Sequence, residues 1–120
     1  MFTDVANNLN ITSNENASTV EEGTEVTFTC TVEANPHPSL YLMYSDVDGT
    51  QPISEQTVTD SMLSVTVTLT RYHSMGRFFC RAVGENPTYI LDSQDKISYS
   101  VYCKFHAVAF LRLVLKYFTL

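Results

Sequence analysis

Cys30 and Cys80 each sit in the middle of an alternating run, and that placement restricts the fold more than any other feature of the chain. Val26, Phe28, Cys30 and Val32 alternate with Glu25, Thr27, Thr29 and Thr31, and Phe78, Cys80 and Ala82 alternate with Phe79, Arg81 and Val83. Strict period-2 alternation marks a half-buried strand, so both sulfurs face one apolar interior. Two inward cysteines on separate strands suit a bond pinning two packed sheets together. Closing a loop of that length stabilises a fold by roughly 4 kcal/mol in the chain-entropy treatment. Such a bond persists in an oxidising compartment, which predicts an extracellular address.

The rest of the chain repeats the β pattern. Leu9 and Ile11 punctuate an Asn-rich polar opening that reads as a weak edge strand, and Gly23 supplies a turn before the run at 25–32. Leu40, Leu42 and Tyr44 alternate with Tyr41 and Met43. Asp48-Gly49 predicts a hairpin tip, with a short strand near Ile53. Leu63, Val65, Val67 and Leu69 alternate with Ser and Thr, and Ile97, Tyr99 and Val101 share one face of a last strand over 96–102. Strands at this spacing, with no helical period, predict an all-β antiparallel sandwich of about seven strands in Greek-key order.

At 120 residues there is room for one domain and not two. The organisation expected is a polar N-terminal segment over 1–19 carrying the first edge strand, the sandwich over 20–103, and a short apolar tail over 104–120. All 13 acidic residues precede Cys103, balanced there only by Arg71, Arg77, Arg81 and Lys96, while Lys104, Arg112 and Lys116 follow it. A body this acidic repels phosphate backbones and anionic lipid, which excludes nucleic acid as a partner. The N-terminus has neither a basic n-region nor a long apolar h-region, so either a leader has been removed or, the preferred reading, the chain is an internal piece of a longer protein.

Gly23, Cys30, Pro36-x-Pro38, Asp48-Gly49, the Leu63-x-Val-x-Val run, Gly76-x-Phe78-x-Cys80-x-Ala82 and the closing Ser-Tyr-Ser-Val-Tyr occur in an order that resembles an immunoglobulin-superfamily domain. The cysteine separation is similar to C2 or I-set domains, and the Pro-x-Pro turn and Arg71-to-Gly76 step resemble nephrin-like and nectin-like adhesion receptors. Three positions depart from that pattern. Leu42 stands where a core Trp is expected, Phe78 where a Tyr would tie a corner through its hydroxyl, and Ser74 where Asp is usual. Leu42 is therefore expected against the disulfide, and the corner hydroxyl is expected to be missing.

Residues that could carry chemistry point elsewhere. His37, His73 and His106 have no metal-ligand spacing with one another or with a cysteine. Asp46, Asp48 and Asp60 flank turns, where Asp bonds local backbone, and Ser64 and Ser74 lack a nucleophile elbow. No enzyme, metal or cofactor is expected. Asn10-Ile11-Thr12 and Asn16-Ala17-Ser18 are glycosylation acceptors in form, whereas Asn86-Pro87-Thr88 is blocked by its proline. Cys103 is expected to stay free in the isolated chain. The tail reads as a gene-model artefact beyond an exon end, with an interfacial amphipathic helix and a truncated membrane span as alternatives.

Binding is expected on one outer face. With Leu42 and Cys80 inward, Tyr41, Met43, Phe79, Arg81 and Val83 point outward together as a contiguous apolar patch, the composition that interface cores use. The resemblance implies an adhesion or recognition module at the cell surface with a homophilic or heterophilic protein partner. The alternatives are a spacer in a tandem array, its patch covered by a neighbouring domain or the tail, and an ectodomain piece of an immune-type or kinase receptor.

Overall fold

The computed structural model describes residues 7–33, 38–57, 62–84 and 90–103. Among them are nine strand segments: β1 (Asn7–Ser13), β2 (Thr19–Glu21), β3 (Glu25–Glu33), β4 (Ser39–Asp46), β5 (Gly49–Thr57), β6 (Met62–Thr68), β7 (Arg77–Val83), β8 (Ile90–Asp92) and β9 (Ser100–Tyr102), with one 3-10 turn at Arg71–Met75. They form an antiparallel sheet in the order β1-β3-β6, a second in the order β5-β4-β7-β8, and a parallel pair β2-β9. The fold is an all-β immunoglobulin-like sandwich. The strands exceed seven because the first and last are each broken in two.

Each sheet contributes its alternate residues to one interior. From β1, β3 and β6 come Leu9, Ile11, Val26, Phe28, Cys30, Val32 and Leu63. From β4 and β7 come Leu40, Leu42, Tyr44, Phe78, Cys80 and Ala82. The polar N-terminal segment thus supplies β1 and two core side chains. Phe28 stacks on Phe78 across the layers, with ring centroids 4.4 Å apart. Cys30 and Cys80 are bonded beside them, Cα atoms 5.8 Å apart, and Cys103 is unpaired. Leu42 stands opposite Cys80 in register and is fully buried, as expected for the residue in the Trp position.

Several elements differ from the sequence reading. The turn between β4 and β5 has Val47-Asp48 at its tip, because Asp46 pairs with Gly49 and the Asp46 carboxylate accepts the Asp48 N–H at 2.8 Å. The short strand expected near Ile53 is the nine-residue β5. It tolerates Pro52 because it is an edge strand and the register slips there, Leu42 facing Ser54 and Met43 facing Pro52. The last strand, expected over 96–102, is only β9 at Ser100–Tyr102: the chain leaves the ladder at Ser93 and meets β7 again only at the Phe78–Ile97 bridge. Ser93 is buried, its hydroxyl accepts the Cys80 N–H at 3.0 Å, and the same hydroxyl donates to the Asp95 carbonyl at 2.9 Å. Gly23 has φ +94°, the positive φ expected of its turn.

The hydroxyl expected to be missing at Phe78 has moved one strand over. Tyr44, opposite Phe78 in register, donates its hydroxyl to the Tyr72 carbonyl in the 3-10 turn at 3.0 Å. Burial, and then the nearby Asp46 charge, raise the Tyr44 phenol above its ordinary value, so it stays protonated and able to donate. The Asn35-Pro36-His37 turn and the tail over 104–120 lie outside the described residues.

Candidate binding face

β4 and β7 lie side by side, so residues paired in register share a face. Tyr41 faces Arg81, Met43 faces Phe79, and Ser39 faces Val83. Alternation along the two strands thus puts the five on one side of the sheet. None of the five belongs to the sandwich core. Exposure is where the expectation fails. Met43 and Phe79 are only 5% and 4% exposed, and Tyr41, Arg81 and Val83 are half-buried. The face is not the open apolar strip that alternation implied.

The covering of Phe79 explains part of the difference. The Arg81 guanidinium lies over its ring at 5.8 Å from the centroid, and the Lys96 ammonium lies over it at 5.3 Å. Both are within the range where a cation is drawn to the negative face of a ring, and their aliphatic stems shield the carbon atoms beneath. Arg81 is oriented from β8. Its Nε and a terminal nitrogen meet the two Asp92 oxygens at 2.7 and 3.1 Å. The hydrogen bond to Asp92 and that carboxylate's charge hold Arg81 protonated more firmly than usual, against the opposing effect of burial. An exposed ion pair of this kind adds little stability, but two parallel bonds fix where the guanidinium sits.

Next to this face a groove of about 280 Å³ is lined by Ser45, Asp46, Val47, Met75, Gly76, Arg77 and Lys96. Val47 and Met75 are 86% and 64% exposed there. Lys96 belongs to both groove and face. Expected at the start of the last strand, Lys96 lies instead between β8 and β9, and nothing local to it in the sequence signals that it stacks on a ring carried by β7.

The opposite outer face, on β3 and β6, is different in kind. It presents Thr27, Thr29, Thr31, Ser64, Thr66 and Thr68, and the hydroxyls of Thr27 and Thr66 meet at 2.8 Å and those of Thr29 and Ser64 at 3.2 Å. Such a surface satisfies itself with short polar pairs. Of the sequons, Asn10 is exposed on β1, its side-chain amide donating to the Asn8 carbonyl at 3.1 Å, and Asn16 is exposed in the loop before β2.

Among the described residues no group of three His, Cys, Asp or Glu side chains could hold a metal ion, and no helix is long and apolar enough to cross a membrane. No curated protein matches the chain closely enough to count as a relative. A family model described as immunoglobulin domain matches residues 10–83, from within β1 to the end of β7, well over half of the sequence. With the disulfide, the two sheets and this match in agreement, the chain belongs to the immunoglobulin-domain family.

Proposed function

We propose that this domain is an extracellular adhesion or recognition module that binds a protein partner through the outer face of the β5-β4-β7-β8 sheet. One observation carries the reading: the two outer faces are built from different chemistry. The β3/β6 face is a ladder of paired hydroxyls, whereas the other holds Tyr41, a cation-covered Phe79 and an oriented arginine. Aromatic and arginine side chains held in fixed positions lose little entropy on binding, which is why interfaces favour them. The disulfide acts as scaffold, no catalysis or cofactor is involved, and the domain is typical in fold and disulfide of extracellular or secreted proteins. Placement at a cell surface, a C2 or I-set type close to nephrin-like and nectin-like receptors, and glycans on Asn10 and Asn16 complete the proposal. Asn16 lies in the loop before β2, whereas Asn10 lines a groove with Leu91 and Asp92, so a glycan on Asn10 would border the β8 edge of this sheet.

Because Phe79 and Met43 are buried, truncating them would disturb the sheet, and the test belongs on Tyr41 and Val83. Bead aggregation or sedimentation of the glycosylated domain should show weaker association for a Tyr41→Ser, Val83→Ser double variant, with a melting temperature near the parent's. Unchanged association would leave the spacer reading in its place, in which buried Met43 and Phe79 serve the sheet alone.

A further inference from the structure

Four cations precede Cys103, and three of them gather on one side of the molecule. Residues 77, 79, 81 and 83 alternate outward along β7, which puts Arg77, Phe79 and Arg81 in one row. Lys96 reaches the same row from the segment between β8 and β9 by lying over Phe79. The β3/β6 face carries no lysine or arginine, and its charged residues are Glu25 and Glu33 at the two ends of β3. A strongly acidic domain is therefore lopsided, with its basic charge concentrated on the face proposed for binding.

Not all of that charge is neutralised in place. Arg81 is matched by Asp92. Among the described residues neither Arg77 nor Lys96 has a carboxylate within ion-pair distance, although the chain carries 13 acidic residues against 7 basic ones. Asp46 lines the same groove, but one of its oxygens already holds the Asp48 N–H. Arg77 and Lys96 are both exposed in that groove, where the exposed Val47 and Met75 add apolar surface. Met43 and Phe79 are buried, and the Arg81 and Lys96 cations lie over the Phe79 ring, so a partner meets charge there before the ring.

We propose that the partner is a protein that presents an acidic segment, its carboxylates meeting Arg77 and Lys96 and an apolar side chain entering the groove between Val47 and Met75. This rests on the binding-face reading and adds to it the partner's chemistry. At contact range Arg77 and Lys96 favour such a segment over a basic one, against the net negative charge of the body, and that attraction weakens as salt rises. The groove's apolar walls distinguish a peptide from a purely ionic ligand.

The disulfide-bonded 120-residue chain can be titrated with a labelled peptide of Glu and Asp around a central Leu, followed by fluorescence anisotropy. Controls are the same peptide with Lys at the acidic positions, the acidic peptide with Gly for Leu, and heparin as a sulfated polyanion. The acidic peptide should bind and should weaken with added salt, and the Leu-to-Gly control should bind less well. An Arg77→Glu, Lys96→Glu variant should lose about tenfold or more in affinity, while an Arg77→Lys, Lys96→Arg variant retains it. Both replaced side chains are exposed, and unchanged melting curves would exclude misfolding as the cause. Equal binding of the basic peptide, indifference to charge reversal, or heparin binding without peptide binding would each overturn the inference. Self-association of the chain alone that charge reversal abolishes would assign the face to a second copy and overturn it too. A Tyr41→Ser loss without any charge effect would retain the face and discard the acidic partner. No effect of either change would discard both.

Discussion

His73 shows how one side chain can hold a turn and make it sensitive to acid. Its Nδ1 accepts the Thr70 N–H at 2.9 Å, so the ring's proton sits on Nε2. The ring lies edge-on to Tyr44, centroids 5.3 Å apart, and tilted against Phe78 at 5.5 Å. Burial lowers its pKa below the ordinary histidine value. A histidine with a lowered folded-state pKa binds fewer protons folded than unfolded. Its contribution is complete above the unfolded value of about 6.5 and is lost as pH falls below that. Protonation also turns Nδ1 from acceptor to donor and breaks the bond to Thr70. The melting temperature should therefore fall on going from about pH 7.5 to 5.5, and His73→Asn, which keeps an acceptor but does not titrate, should flatten that slope. An equal slope in both proteins would remove His73 from the account. Nearby Gly76 is constrained by space rather than by φ. A Cβ there would overlap the Ser45 carbonyl and come within 2.6 Å of the Tyr44 ring and hydroxyl. Tyr44 cannot yield, because it is tied to Tyr72 and packed on Phe78 at 5.0 Å.

At the scale of elements, the interruption between β8 and β9 carries the most information. Ser93 N–H donates to the Cys80 carbonyl at 2.8 Å, and the Ser93 hydroxyl takes the Cys80 N–H. A side chain thus completes the ladder where the backbone bends away. Pairing then resumes where Ile97 exchanges bonds with Phe78, both at 2.8 Å. Ser93→Ala would leave the Cys80 N–H without its partner beside the disulfide, which costs about 1–3 kcal/mol. Denaturant unfolding should show that loss, and hydrogen exchange at the Cys80 amide should quicken. Full protection of that amide in the variant would mean another group has replaced the hydroxyl. The last turn is held in a similar way: Ser74 Oγ accepts the Val101 N–H at 2.7 Å, and Glu22 N–H donates to the Tyr102 carbonyl at 2.6 Å. Ser74, which departs from the family's Asp, thereby ties the 3-10 turn to β9.

For the whole molecule, the disulfide joins the central strands of the two sheets, β3 and β7. Its loop spans 50 residues, so reduction should lower stability by roughly 4 kcal/mol through the entropy returned to the unfolded chain. Reduced and non-reduced peptide mapping should give one linked species, Cys30 with Cys80, and a Cys103 open to alkylation. A dominant linkage through Cys103 would contradict the register of β3 and β7. Around this staple the two outer surfaces divide by chemistry, hydroxyl pairs on one and covered aromatics with cations on the other, and that division is a property of the assembled sandwich.

The strands at 25–32, 63–69 and 77–83, the inward cysteines and Leu42 beside them were legible in the sequence. Period-2 alternation is a local property, and burying one side of a strand forces it to appear in the residue order. The outward direction of Tyr41, Met43, Phe79, Arg81 and Val83 followed from the same rule. Their exposure did not, because Phe79 is covered by Lys96, which approaches from the segment between β8 and β9, and by Arg81, which Asp92 of β8 orients. The Tyr44 hydroxyl bond to Tyr72 and the Ser93 repair at Cys80 escaped for the same reason. Each joins residues that are neighbours only after two separate strands have paired, and no periodicity along one strand records its partner's side chains. Alternation determined which residues point inward, and the tertiary structure alone decided what lies on top of those that point out.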